Sequence, residues 1–126
     1  MGFQPAADSR ITGLGTIDYR FQRQMILTDL AKGRVSRSEL CDAHPELMRA
    51  ARHGAPGAGE TCPVCEDAEV VLVSYVFGPR LPAGGRCALS AAEIGKYRAR
   101  SGIYSVYEIE ACPACGWNHR RRRYSV

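Results

Sequence analysis

Four of the six cysteines in the chain form two Cys-x-x-Cys pairs, Cys62-Pro-Val-Cys65 and Cys112-Pro-Ala-Cys115. In structural zinc sites, four cysteine thiolates surround the ion in a tetrahedron, with sulfur about 2.3 Å from the metal. A Cys-x-x-Cys turn directs two sulfurs to one ion and leaves backbone amides free to hydrogen-bond them. The two pairs therefore predict one closed site for a single structural Zn²⁺, with four ligands: Cys62, Cys65, Cys112 and Cys115.

Other interpretations of these cysteines stay open. The four cysteines could instead form two disulfides, be four unrelated buried residues, include a redox-active dithiol, or bind iron in place of zinc. The pairs are separated by 46 residues, a longer separation than a zinc ribbon usually has. Four thiolates leave no position for a water ligand, so we expect no catalysis at the metal unless His119 replaces one thiolate. Because no phosphate-binding glycine loop or recognisable Ser/His/Asp set occurs, the sequence predicts a non-enzymatic protein.

The two remaining cysteines stand apart from these pairs. Cys41 precedes His44 by three residues, and His53 follows nearby, so a second metal site built from them is an alternative. We favour a small buried apolar side chain for Cys41 and a helix-capping role for His44, which stands before Pro45. Cys87 has no paired cysteine.

The N-terminal half predicts helices. Residues 1–15 are rich in Gly, Pro and Ala and indicate a flexible arm. A helix is expected from Thr16, with apolar residues at helical spacing (Ile17, Phe21, Met25 and Leu30), ending at Lys32-Gly33. Ser36-Arg37-Ser38-Glu39 is a capping box that starts a second helix, and Pro45 begins a third. Residues 16–54 therefore predict a helical lobe.

The C-terminal half predicts a small sheet. Residues 55–61 indicate a linker, and the apolar run 69–77 predicts a strand covered on both faces. A short helix is expected from the Ser90/Glu93 capping box to about Arg100, followed by strands at 103–110 and 119–126. The expected fold class is α+β. The N-terminal helical lobe would be followed, over 62–126, by a zinc-ribbon-like, three-stranded antiparallel sheet with an inserted short helix.

The last strand carries four consecutive arginines, and the chain has a net charge of +4. Clustered arginines beside aromatic rings are typical of surfaces that bind single-stranded nucleic acid. The candidate contacts are Trp117, His119, Arg120, Arg121, Arg122, Arg123 and Tyr124. In the alternative interpretation, these arginines protect a sheet edge and pair with Glu108 and Glu110 across the hairpin.

Length and composition predict a cytoplasmic protein without a membrane segment. The chain of 126 residues has no apolar run near the ~20 residues that cross a bilayer. Its N-terminus has no basic start followed by an apolar stretch, so no signal peptide is expected. A reducing cytoplasm favours metal ligation over disulfides for the paired cysteines.

Two segments carry a resemblance to a known family. Residues 34–45, which include Cys41-Asp42-Ala43-His44-Pro45, are followed by the first cysteine pair and then by Cys112-Pro-Ala-Cys115-Gly-Trp-Asn-His119. In these segments the chain resembles a family of short actinobacterial proteins of uncharacterised function. The resemblance covers most of the chain and implies a zinc-ribbon-like module with a helical N-terminal half. It implies no particular activity.

Three functional hypotheses follow. The first is a zinc-ribbon adaptor whose basic C-terminal hairpin contacts nucleic acid or a nucleic-acid machine, such as RNA polymerase or the ribosome. The second is a protein-interaction module that docks on its partner through the N-terminal helices. The third is a redox sensor that loses zinc when its thiols are oxidised. The sequence does not predict an oligomeric state.

Overall fold

The computed structural model describes residues 15–126, so the predicted arm at 1–15 lies outside the described residues except for Gly15. The fold class is α+β, as predicted. The helices are α1 (Arg20–Ala31), α2 (Arg37–Leu40), α3 (Pro45–Arg52), α4 (Ala91–Gly95) and a 3-10 helix (Lys96–Ala99). The strands are β1 (Ile17–Asp18), β2 (Gly57–Thr61), β3 (Glu69–Phe77), β4 (Arg86–Ala88), β5 (Ser105–Ala111) and β6 (Asn118–Ser125).

The strands form one antiparallel sheet in the order β1-β6-β5-β3-β2. Strand β4 shares the outer edge of β3 with β2, because β2 pairs near the beginning of β3 and β4 pairs at Ser74–Val76. The β5–β6 hairpin has an irregularity between Glu108 and Ile109. Because β3 and β5 are antiparallel, the beginning of β3 lies beside the end of β5, with Val71 opposite Ala111.

Helices cover both faces of the sheet. Leu47 and Ala51 of α3 pack on Val73 and Ile109. On the opposite face, Tyr97 of the 3-10 helix packs with a second set of buried residues: Val76, Ala88, Tyr104 and Val106. Successive residues of a strand point to opposite faces, so the central strands are apolar on both sides, as predicted for 69–77.

Three predicted helix starts are confirmed by their caps. Ser36 Oγ accepts from the Glu39 amide at 3.2 Å, while Glu39 Oε2 accepts from the Ser36 amide at 2.8 Å. His44 Nδ1 accepts from the amide of Glu46 at 3.1 Å at the start of α3, where Pro45 fills the first turn. Ser90 Oγ accepts from the Glu93 amide at 3.1 Å at the start of α4. Each side chain satisfies an amide that has no partner inside its helix.

Over residues 15–126 the sheet has six strands, whereas the sequence predicted three. The expected linker at 55–61 contains β2, which pairs with β3 although it has no large apolar residue. The expected helix start at Thr16 is also wrong, because Ile17 and Asp18 form β1 on the edge of β6 and α1 begins only at Arg20. In both places backbone pairing to an available sheet edge outweighs the local preference of the sequence.

The apolar stripe predicted for the first helix does not face the core. Phe21 is 73% exposed and Met25 is 53% exposed. The helix instead packs Ile26 and Leu27 against a cluster that contains Trp117. This cluster surrounds the two cysteine pairs at one end of the sheet.

Candidate metal centre

The two cysteine pairs form turns of the same design at neighbouring strand ends. In the first turn, the Glu66 amide donates to the Cys62 carbonyl at 3.1 Å. In the second, the Gly116 amide donates to the Cys112 carbonyl at 3.1 Å. The first turn joins β2 to β3, and the second joins β5 to β6. Because β3 and β5 are adjacent and antiparallel, both turns reach the same end of the sheet.

The residue after each pair has a left-handed backbone conformation. Its φ is 59° at Glu66 and 88° at Gly116. Glycine adopts this conformation without a steric penalty, whereas glutamate does not. The two turns are therefore alike in geometry but unequal in local strain.

The four sulfurs form one compact group, and all lie within 4.8 Å of one another. The Sγ atoms of Cys62 and Cys115 are 3.7 Å apart, and those of Cys65 and Cys112 are 3.6 Å apart. Four sulfurs at ~2.3 Å from a tetrahedral ion would be separated by roughly 3.8 Å. Donor type and spacing therefore fit a tetrahedral thiolate-bound metal ion, a geometry typical of zinc and also of iron.

Backbone amides support each of the four sulfurs. Cys62 Sγ accepts from the amides of Val64 and Cys65, at 3.4 and 3.5 Å. Three more N–H···S contacts complete the set: Asp67 to Cys65 at 3.5 Å, Cys115 to Cys112 at 3.4 Å, and Trp117 to Cys115 at 3.3 Å. Hydrogen bonds to a thiolate stabilise its charged form, so the turns are built to hold deprotonated sulfur.

Burial of the sulfurs disfavours the thiolate form, and it does so to a different extent for each cysteine. It raises the pKa of the Cys62 thiol and, more strongly, that of Cys115. The Asp67 amide lowers the pKa of the Cys65 thiol, which is more accessible. A metal ion would have to displace the protons that Cys62 and Cys115 retain at neutral pH.

A buried polar network lies directly behind the sulfurs. The Glu110 side chain is fully buried and accepts from Arg23 Nε at 2.6 Å, Arg23 Nη2 at 3.1 Å and Trp117 Nε1 at 3.0 Å. The alternative interpretation of the arginine run paired Glu110 with an arginine of β6; that pairing is wrong, because the arginine that Glu110 bonds to is Arg23 of α1. The indole of Trp117 packs with Cys62 and Cys112 and stacks on the ring of His119, with 6.0 Å between ring centroids.

The structure distributes the other predicted contact residues over several environments. Trp117 and Arg123 are 1% and 7% exposed, whereas His119, Arg120, Arg121 and Tyr124 are partly buried. Burial lowers the pKa of His119 and raises that of Tyr124. Of the seven residues, only Arg122 is classed as exposed.

Three of the arginines have partners near the surface, and the fourth is buried. Arg120 lies 4.9 Å from the ring centroid of Tyr19, and Arg121 pairs with Glu60. Arg122 pairs with Glu108 at 3.2 Å, as the alternative interpretation predicted, and lies 4.6 Å from the centroid of the Tyr124 ring. Arg123 donates to Ser105 at 2.9 Å. Much of the charge of β6 is therefore balanced by the protein itself.

The remaining candidate ligands do not join into a second site. Within residues 15–126, the only group of three or more Cys, His, Asp or Glu side chains with metal-site spacing is the four-cysteine group. His44, His53 and Cys87 line a separate open pocket of about 550 Å³. Cys41, in contrast, lies with its Sγ 3.4 Å from Cys115 Sγ. No local sequence pattern indicated this contact, because the two cysteines are 74 positions apart in the chain.

Comparison with known proteins supports the resemblance seen in the sequence. Residues 11–126 match a family described as "Family of unknown function (DUF5318)". The chain belongs to the DUF5318 family. Similar proteins include uncharacterized protein Rv0049 of Mycobacterium tuberculosis and uncharacterized protein Mb0050 of Mycobacterium bovis, each 38% identical over 109 residues. Each alignment covers 86% of this chain and 79% of the relative.

These comparisons confirm an uncharacterised actinobacterial family. No solved structure matches the chain. Among residues 15–126, no helix has the length and apolar character needed to cross a membrane.

Proposed function

We propose that this DUF5318 chain is a non-enzymatic adaptor whose fold is stabilised by one structural Zn²⁺ bound to Cys62, Cys65, Cys112 and Cys115. The observation that carries the proposal is the group of four sulfurs within 4.8 Å of one another. Four thiolates fill a tetrahedral ion, so its role is to hold the two turns together and not to activate water. Binding of zinc by the folded protein would add on the order of 10 kcal/mol to its free energy of unfolding.

Metal analysis of the purified protein tests this proposal. We expect one zinc ion per chain, and we expect a chelator to lower the unfolding temperature and change the fluorescence of Trp117, the single tryptophan. Cys112→Ala should bind zinc at least about tenfold more weakly. Cys87→Ala is the matched control, because Cys87 is exposed and lies outside the four-cysteine group. A metal-free protein with the same unfolding temperature would contradict the proposal.

Nucleic acid is the first candidate for the adaptor's partner, alone or within a transcription or translation machine. In its favour, Arg98 and Arg122 line one groove of about 250 Å³ together with Tyr124. Glu108 lines the same groove, so two guanidinium groups face one carboxylate. The combination provides an excess positive charge next to an aromatic ring, which suits a phosphate backbone and a stacked base.

Docking on a protein through the N-terminal helices is the second candidate. Phe21 and Met25 are exposed and lie one turn apart on the outer side of α1. Together with Gln24 and Thr28 they line a shallow pocket of about 340 Å³. Apolar side chains at this spacing are the usual anchors of helix-mediated contacts.

Two pairs of substitutions separate these candidates. Arg98→Glu with Arg122→Glu should abolish binding to single-stranded nucleic acid, and the affinity of the unsubstituted protein should fall steeply with salt. Phe21→Ser with Met25→Ser serves as the control in that assay and should leave the affinity unchanged. An affinity that is the same at low and high salt would count against the nucleic-acid candidate. Loss of a protein partner only in the Phe21/Met25 variant would favour docking.

Thiol-based redox sensing is the third candidate. It requires that mild oxidation of the four cysteines releases the metal, and the more accessible position and lowered thiol pKa of Cys65 favour attack there. Retention of zinc after treatment with a peroxide would exclude this role.

A further inference from the structure

A fifth cysteine lies against the four-cysteine group. Cys41 follows α2, and its Sγ donates to Cys115 Sγ across 3.4 Å. That distance is close to the 3.6 and 3.7 Å that separate sulfurs inside the group. Cys41 is not a member of the set whose sulfurs all lie within 4.8 Å of one another. It therefore stands outside the tetrahedron, next to one corner.

The backbone holds Cys41 in this position. The Ala43 amide donates to the Gly116 carbonyl at 3.1 Å, and Asn118 Nδ2 donates to Asp42 Oδ1 at 3.1 Å. The segment approaches so closely that a Cβ on Gly116 would lie 3.1 Å from the Cys41 carbonyl oxygen. The two residues that follow Cys41 are thus bonded to the second turn and the residue after it, and these contacts place the thiol beside Cys115.

Cys41 also differs from the four resident sulfurs in its hydrogen bonds. Each of those sulfurs accepts at least one backbone N–H. The Cys41 sulfur has no such donor among the described residues and acts as a donor itself. The two turns therefore orient the four resident sulfurs and not that of Cys41, so Cys115 holds the coordination position while it is present.

We propose that Cys41 is a reserve ligand of the metal centre. While Cys115 binds the metal, Cys41 donates a hydrogen bond to the Cys115 sulfur. When the Cys115 sulfur does not bind the metal, Cys41 takes the coordination position of Cys115. A change of χ1 rotamer moves a cysteine sulfur by roughly 3 Å, comparable to the separation of the two sulfurs. The centre then keeps four thiolates with four of its five cysteines. This inference rests on the proposed metal centre.

Substitution at Cys115 and at Cys41 tests the proposal with Zn²⁺ and Co²⁺ as probes. Cys115→Ala should still bind one ion per chain, and its sulfur-to-cobalt charge-transfer absorption should equal that of the unsubstituted protein. In Cys41→Ala/Cys115→Ala that absorption should fall to about three quarters, since three of four thiolates remain. The zinc affinity of this double variant should be at least tenfold below that of Cys115→Ala.

Two single variants complete the test. Cys41→Ala should keep four thiolates on cobalt and lose about tenfold or less in zinc affinity, as for removal of a hydrogen bond to a ligand. Cys112→Ala has no neighbouring fifth thiol and should bind metal as weakly as the double variant.

The outcomes separate this inference from the metal centre itself. If Cys115→Ala and Cys41→Ala/Cys115→Ala bind zinc equally and give equal cobalt spectra, the reserve ligand is disproved while the centre stands. If the unsubstituted protein binds neither ion, the centre fails and the inference fails with it. If Cys115→Ala does not fold, Cys115→Ser provides the same comparison with a side chain of nearly the same size.

Discussion

Arg23 of α1 donates two hydrogen bonds, at 2.6 and 3.1 Å, to the fully buried carboxylate of Glu110 in β5. The pair joins residues that are 87 positions apart. Glu110 also accepts from Trp117 Nε1 beside the cysteines, so one carboxylate bonds both to α1 and to the cluster around the cysteines. The placement of α1 is thus coupled to the packing behind the metal centre.

Removing Arg23 alone should be more harmful than removing the charge of both partners. Arg23→Met leaves an unpaired buried carboxylate and should destabilise the protein by about 3–5 kcal/mol. Adding Glu110→Gln removes that charge and keeps an acceptor for the Trp117 indole, so the double variant should recover part of the loss. Urea unfolding followed by far-UV circular dichroism measures both values.

Arg34→Met is the matched control for this prediction. Its guanidinium pairs with Asp29 at 3.4 Å at the surface, where both side chains are largely exposed. Such a pair contributes about 0–1 kcal/mol, so its loss should have little effect. A double variant less stable than Arg23→Met would show that the charge of Glu110 is stabilising by itself.

Replacing Glu66 with glycine should stabilise the first turn. Glu66 has a φ of 59°, and relief of a left-handed conformation in a residue with a Cβ is worth about 1 kcal/mol. The reverse change in the second turn, Gly116→Ala, should destabilise, because φ there is 88° and the new Cβ would approach the Cys41 carbonyl. Thermal unfolding of the two zinc-loaded variants gives the comparison, and shifts of the same sign would refute it.

Zinc binding should strengthen as pH rises through the neutral range. Burial raises the pKa of the Cys62 and Cys115 thiols, so both hold protons in the metal-free protein at pH 7. Metal binding must release these protons, and a higher pH makes that release less costly. Calorimetric titration in buffers of different ionisation enthalpy counts the protons. An affinity that is the same at pH 6 and pH 8 would contradict the prediction.

His119 should make the protein more sensitive to mild acid. Burial holds its pKa below the ordinary value of 6.5, so the folded state disfavours the charged ring. Its contribution is present above the unfolded pKa and is lost as pH falls through the folded pKa. The difference in unfolding free energy between the unsubstituted protein and His119→Phe should therefore fall between pH 7.5 and pH 5.5. Protonation of the cysteines affects both proteins and cancels in that difference.

The sequence predicted the parts of the structure that depend on local patterns. The run from Glu69 to Phe77 is a strand with those bounds, and the capping residues Ser36, His44 and Ser90 each begin a helix. The four paired cysteines come together because each pair lies at the end of a predicted strand. Hydrogen bonds between near neighbours and alternating burial are sufficient to specify these features.

Contacts between distant segments could not be predicted in this way. Strand β2 has a composition typical of a linker and becomes a strand only because the edge of β3 is available. Glu110 has its partner on α1, and Cys41 contacts Cys115 only once the chain after α2 folds back onto the second turn. One signal was present for Glu110: it lies in a strand segment flanked by apolar residues on both faces, which indicates a buried charge that needs a partner.

The separation of the cysteine pairs along the chain has a consequence for the order of assembly. Each pair is brought together by its own turn, whereas Cys65 and Cys112 meet only when 47 positions of chain close into a loop. Loop closure costs conformational entropy that a local turn does not. We therefore expect stopped-flow mixing of the metal-free protein with zinc to show two phases: rapid capture by two thiolates, then slower joining of the turns. The ion would first be bound by the two thiolates of a single turn. Only later would it join the two turns and so hold β3 beside β5.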